Sequence, residues 1–392
     1  MSIIIAILVL GLIITVHEFG HFIMAKTFKV PVREFSIGMG PRLLSKVVNN
    51  TRYSLKALPF GGSCAMIGED AAGSGDMIEY EDVKVDENGL YDFEGVKFSK
   101  EDLEKYNFQS ISPMKKFLIC LAGPFMNFLL AFLLAFILVS RVGFDIPIIS
   151  SVSNDGAAAN ATPVVLEKGD EIIEFEIPGE KETIISYRDL AIFMQLNNDD
   201  ILDKKYPPAI TFKRDGKILK TVVYPTYDET YNKAMIGISF EDMYQMPKNF
   251  VDTCKFAARE FYFYIKTTIM SLRMLVRGKL GAKDISGPVG TVAVMGTAIS
   301  EANAISFTSM IYTLLTMIVL ISANLGVMNL LPIPALDGGR IVFAAIEMIT
   351  GKPINKDVEG FANTVTMLLL LIFMIWIFGM DIYKLLSGNL FN

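Results

Sequence analysis

Cysteine, histidine and charge are all scarce in this 392-residue chain. Its three cysteines, Cys64, Cys120 and Cys254, are scattered, odd in number and form no C-x-x-C pair. That excludes a disulfide framework and a cysteine-built zinc site. A net charge of −6 excludes the clustered basic face that nucleic-acid binding requires. Charged residues make up only 20% of the chain, and they are bunched, with long stretches between them that carry none. With 52% hydrophobic residues and a positive mean hydropathy, the composition is that of an integral membrane protein with soluble insertions, not of one soluble domain. The only two histidines, His17 and His21, stand four residues apart.

Four segments are long and apolar enough to span a bilayer, which takes about 20 residues. Residues 2–25 are apolar apart from His17, Glu18 and His21; residues 117–140 and 302–336 carry no charge; residues 361–380 form the fourth. The first segment lacks the basic start and small-residue cleavage site of a signal peptide, and reads as a retained helix. Lys26, Lys29 and Arg33 follow the first span, Lys115 and Lys116 precede the second, and Arg340, Lys352 and Lys356 lie between the third and fourth. The positive-inside rule then makes residues 27–115 and 340–360 cytoplasmic, with both termini and residues 141–304 outside.

The expected fold is therefore a polytopic α-helical membrane protein of about four transmembrane helices, carrying soluble insertions. Residues 1–26 form the first span. Residues 27–113 form a cytoplasmic insertion, with a β-hairpin region at 30–62 turning at Asn49-Asn50 and an acidic, solvated loop at 69–104. Residues 114–140 are the second span, and residues 145–228 a small outer α+β domain. Within that domain strands are expected at 148–152, 170–177, 209–213 and 218–224, and a helix at 186–196. An amphipathic helix and Gly-rich connector fill 229–301, the third segment runs over 302–340, and the fourth span is 361–386. The helix at 250–276 suits either the membrane surface or packing on the soluble domain.

The chemistry is concentrated in His17-Glu18-Phe19-Gly20-His21. On a helix, positions i and i+4 share one face, so two imidazoles can hold one metal ion with the intervening glutamate beside its water. The pattern also arises by chance. Here, however, it lies inside an apolar span, where each ionisable group costs roughly 2.5–3.5 kcal/mol on insertion scales. Three such groups within little more than one turn call for a compensating ion, and imidazole ligands suit zinc. A third ligand is expected from Asp337, in Pro332-Ile-Pro334-Ala-Leu-Asp337-Gly338-Gly339, where prolines and glycines break the third segment. Alone, that aspartate would read as the cap of an interfacial turn.

These residues resemble the site-2 protease family of intramembrane zinc metalloproteases, in its bacterial RseP/RasP-like branch. The likeness rests on H-E-x-x-H, on Gly123-Pro124-Phe125-Met126-Asn127, on Ser286-Gly287-Pro288-Val289-Gly290, and on Asn324-Leu-Gly-Val-Met-Asn329 running into Leu336-Asp337-Gly338-Gly339. It implies zinc as cofactor, with His17, His21 and Asp337 as ligands and Glu18 as general base. Gly123 and Asn127 would support the centre from the second helix, and Asn324 and Asn329 would handle the substrate strand, although helix packing accounts for those two asparagines as well. The resemblance also implies a membrane-associated hairpin and an outer PDZ domain over 145–228. At Gly61-Gly62-Ser63-Cys64-Ala65-Met66 the sequence departs from the family, and no substrate role is carried over to it.

The implied activity is cleavage of single-pass membrane proteins within the lipid bilayer of a bacterial plasma membrane, on the cytoplasmic side. Anti-sigma factors or signal-peptide remnants, first cut by an upstream site-1-type protease, are the implied substrates. Two other classes compete. A PDZ-bearing scaffold with a structural metal site would not need Glu18. A transporter would show an inverted repeat or a second broken helix, and neither is found.

Overall fold

The computed structural model describes residues 2–69, 83–202, 206–229, 233–240, 244–278, 281 and 286–387. Residues 70–82 of the expected acidic loop and residues 203–205 of the expected outer domain lie outside them. The chain divides into two compact units, one from residues 1–134 with 280–392 and the other from residues 135–279.

The first unit opens with helix α1 (Ser2–Thr27). Its buried positions include Ala6, Val9, Ile13, His17 and Gly20, three and four residues apart, with His21 four past His17, so the histidines share the stripe that packs inward. A long antiparallel hairpin follows, strand β1 (Val32–Val48) with β2 (Thr51–Met66). Asn49 and Asn50 both have positive φ, as a two-residue hairpin turn needs. The tip exposes Met39, Leu43, Leu44, Val47 and Val48, whereas the base packs Val32, Phe35, Cys64 and Met66 with Ala25, Val30, Ile119 and Cys120.

The expectation of a solvated loop at 69–104 is corrected where the chain is described. Tyr91–Phe93 pairs with Val96–Phe98 and the helix Lys100–Tyr106 follows. The few apolar residues there converge, with Phe93, Val96, Phe98 and Leu103 packing against Ile67. Helix α2 (Pro113–Val142) completes this part of the chain.

The second unit holds a four-stranded antiparallel sheet of β3 (Glu171–Ile177), β4 (Glu180–Thr183), β5 (Ala209–Arg214) and β6 (Lys217–Val222) in the order β6-β5-β3-β4. Strand β4 was not foreseen, because Glu180–Thr183 is polar and lacks apolar alternation. Helix α3 (Tyr187–Leu196) starts with a capping box of Ser186 and Asp189, and its Phe193 packs on Phe175. Helix α4 (Phe250–Val276) belongs to the same unit. Arg188 joins α3 to α4, its Nη1 donating to Glu260 Oε1 at 3.1 Å and its Nη2 to Asp145 Oδ1 at 2.7 Å.

Back in the first unit, helix α5 (Pro288–Ile305) occupies a stretch expected to be connector. Its N-terminus is capped from a distance, as the Asp381 carboxylate accepts from Gly287 N–H at 3.1 Å and Gly290 N–H at 2.8 Å. Helix α6 (Phe307–Asn329) is the third apolar helix, and it begins later than the expected residue 302 because Ser306 caps it. Asp337 opens a separate helix, α7 (Asp337–Thr350), and α8 (Lys356–Ser387) is last. Among the described residues four helices are long and apolar enough to cross a membrane: α1, α2, α6 and α8.

Candidate metal centre

His17 and His21 face the same way from α1, with their Nε2 atoms 3.2 Å apart. Asp337 meets them from the N-terminus of α7, its Oδ2 lying 3.0 Å from His17 Nε2 and its Oδ1 3.4 Å from His21 Nε2. Both histidines are buried. Ala335, with positive φ, turns the chain ahead of α7, and its N–H donates to Asn363 Oδ1 at 2.9 Å. A buried asparagine of α8 therefore fixes the loop that delivers Asp337.

The donor atoms fit a metal ion. Bonds of roughly 2.0–2.2 Å in a tetrahedral site place neighbouring donors about 3.3–3.5 Å apart, and the separations here are 3.2, 3.0 and 3.4 Å. His21 Nδ1–H donates to Ile119 carbonyl oxygen at 2.8 Å, which leaves Nε2 with a lone pair. Asp337 Oδ2 is buried without a hydrogen-bond partner among the described residues. Three acceptor atoms facing one another in an apolar setting repel, and a cation among them relieves this.

The His17 side is set by Asn127, which is fully buried. Asn127 Nδ2 is 3.2 Å from His17 Nδ1, while Asn127 Oδ1 has no partner among the described residues. Turning the amide by half a rotation lets Oδ1 accept from His17 Nδ1–H. That satisfies both groups and frees His17 Nε2 for a metal. Asn329 Nδ2 also reaches His17 Nε2, at 3.2 Å. Asn324, half-buried, sits five residues earlier on α6.

Gly123 is required by space. A Cβ there would stand 2.5 Å from His21 Cε1 and 2.8 Å from His17 Cε1. On the facing helix, a Cβ at Gly20 would stand 2.7 Å from the Ala122 carbonyl carbon. Two glycines thus let α1 and α2 approach until the imidazoles lie against bare backbone.

Glu18 is aimed by the hairpin, since Cys64 N–H donates to its Oε2 at 3.0 Å. The sequence gives no site role to Cys64, Ile119 or Asn363. Two of them act through backbone groups, which carry no residue-type signal. At the hairpin base the buried Glu34 accepts from Arg42 and Ser54. Burial opposes its charge, but those hydrogen bonds, with the charges of Lys56 and Arg42, hold its carboxyl down at about 2.

The profile of peptidase family M50 matches residues 5–373. The chain belongs to peptidase family M50. A Clostridium acetobutylicum protein, whose name assigns it provisionally as a zinc metalloprotease, is 36% identical over 376 residues, covering 95% of each chain. The zinc metalloprotease RasP of Geobacillus kaustophilus is 29% identical over 98% of each chain. The regulator of sigma-W protease RasP of Bacillus subtilis is 29% identical over 97% of each chain. For this M50 peptidase the four long apolar helices agree with a membrane protein.

Proposed function

We propose that this M50 peptidase is an intramembrane zinc-dependent endopeptidase that cleaves single-span membrane proteins. His17, His21 and Asp337 hold the ion and Glu18 is the general base. The observation that carries this reading is the meeting of three ligand atoms, all within 4.8 Å of one another, beside a carboxylate fixed by a backbone donor. A zinc ion bound there supplies Lewis acidity, acidifying water and polarising the scissile carbonyl.

The rest is the work of the chain's own groups. His21 Nδ1–H on Ile119 and His17 against Asn127 fix both imidazole planes and tautomers. Glu18, tethered through Oε2, takes the proton of the attacking water and returns it to the leaving amide nitrogen. His17 and His21 are buried, with Gly123 of α2 against both rings, which keeps bulk solvent off the imidazole faces.

The exposed apolar tip of the β1–β2 hairpin supports its association with the bilayer, beside an unwound substrate strand. The basic residues Lys26, Lys29, Arg33, Lys115 and Lys116 support a centre on the cytoplasmic side. The sheet and α3 of the second unit support a PDZ-like outer domain that screens trimmed substrates. The Bacillus subtilis relative is named a regulator of sigma-W protease, which favours a regulator of a sigma factor, such as an anti-sigma factor, over signal-peptide remnants as the substrate class.

The test compares full-length wild type with Glu18→Gln in detergent with zinc, using a single-span substrate stripped of its outer portion. Cleavage by wild type alone, with equal zinc in both, is expected. Equal cleavage by both sinks the reading.

A further inference from the structure

A buried ion pair stands outside the group just described. Glu69 Oε1 accepts from Arg340 Nη1, and the two side chains are 6% and 8% exposed. Each partner sits at the end of a segment that leads to the candidate centre. Arg340 follows Asp337 by three residues on α7, which puts it one turn along the same helix. Glu69 follows the end of β2, the strand whose Cys64 aims Glu18.

The segment carrying Glu69 is itself fastened. Ile67 N–H donates to Pro31 carbonyl oxygen at 2.9 Å, and Phe108 N–H donates to Ile67 carbonyl oxygen at 2.9 Å. The Arg340 guanidinium lies 5.9 Å from the centroid of the Phe108 ring.

A buried ion pair is a poor device for stability alone, because desolvation offsets most of the attraction and apolar replacements are often neutral. Its fixed geometry is what it adds. We propose that Glu69 and Arg340 are positioning residues for peptide hydrolysis, locking the helix that carries Asp337 to the strand end that holds Glu18. The pair keeps the third ligand and the base at one spacing, while Asn363 holds the loop on the other side of Asp337. This inference rests on the protease reading above.

The test compares full-length wild type in detergent with Glu18→Gln, Arg340→Met, Glu69→Gln and the double variant Glu69→Gln/Arg340→Met. The readouts are kcat and KM on a single-span substrate, zinc affinity by chelator competition, and the thermal midpoint. Each single change removes one charge of the buried pair and lowers the midpoint; the double change removes both charges and restores it. If the pair positions the centre, the double variant still shows kcat lowered about tenfold or more, KM within about twofold, and zinc bound about tenfold more weakly.

Recovery of both midpoint and kcat to within about twofold of wild type makes the pair structural only and overturns the proposal. Should the double variant not fold, Arg340→Lys keeps the charge but loses the planar fork. It is expected to lose kcat at an unchanged midpoint, and full kcat there overturns the proposal. If wild type does not cleave, or Glu18→Gln cleaves equally, the protease reading has failed; the zinc titration then decides the pair alone, and unchanged affinity in the double variant overturns it.

Discussion

Cys64 donates its backbone N–H to Glu18 Oε2 at 3.0 Å, so the carboxylate inside H-E-x-x-H is aimed by a residue 46 positions away. The donor is the peptide group, and the thiol is incidental to it. Cys64→Ala keeps the N–H and is expected to retain kcat within about twofold. Cys64→Pro removes the donor; a hydrogen bond to a charged group is worth about 1.5–3 kcal/mol, so kcat should fall about tenfold or more. Steady-state cleavage of one substrate by both variants is the measurement, and equal rates would show that Glu18 does not depend on this bond.

What the sequence made legible was what is local. His17 and His21 share a helical face because four residues separate them, and the break before Asp337 is written in Pro332 and Pro334, whereas Gly338 and Gly339 lie inside α7. Contacts made by backbone atoms were hidden: the Ile119 carbonyl on His21 and the Cys64 N–H on Glu18 could have come from any residue type. Helix α5 was hidden for another reason. Gly290 and Gly296 lower its helical propensity, and their lack of side chains is what lets Asp381 and Ile3 pack close. Only the tertiary contact explains the local sequence.

Gly123→Ala tests the close packing of α2 on the two imidazoles. The added methyl would meet ring atoms at 2.5 and 2.8 Å, and both rings are held from behind by Ile119 and Asn127. Zinc affinity measured by chelator competition should fall by about 100-fold, the upper end of what disturbed ligand support costs. Gly379→Ala, where a Cβ meets nothing within 4 Å, is the matched control and should bind zinc as wild type does.

Asn127 is expected to act as an acceptor for His17 Nδ1–H. Asn127→Ala removes that acceptor and should weaken zinc binding about 10- to 100-fold. Asn127→Asp, acceptor-only in its ionised form, should keep more of the affinity than alanine does. The order of the two in zinc titrations is the measurement, and alanine binding as tightly as aspartate would refute the tautomer assigned to His17.

Asp381 fastens α5 through two backbone donors, Gly287 N–H and Gly290 N–H. Asp381→Ala leaves both without their acceptor at a buried helix end. The expected loss is about 2 kcal/mol, the range of a strong cap plus a charged hydrogen bond. It should show as a lower thermal midpoint of the full chain in detergent, with the ratio of kcat to zinc occupancy unchanged.

Glu34 sets a pH dependence in the hairpin. Its carboxyl is held at about 2, below its ordinary 4.5, because bonds from Arg42 and Ser54 and the charge of Lys56 outweigh the burial that opposes ionisation. A carboxyl lowered in the folded state binds fewer protons there than when unfolded. Its contribution is therefore full above pH 4.5 and is lost as pH falls through about 2. Glu34→Gln lacks the charge at every pH and leaves Arg42 and Lys56 without their buried partner. The gap in thermal midpoint between wild type and Glu34→Gln should be widest near neutral pH and narrow as acid protonates the wild-type residue. Midpoints of both proteins in the same detergent at about pH 6 and about pH 3 decide it, because a group with this shift loses stability between those values. A constant gap would mean that Glu34 titrates alike in the folded and unfolded chain, and that the Arg42 and Ser54 bonds do not hold it.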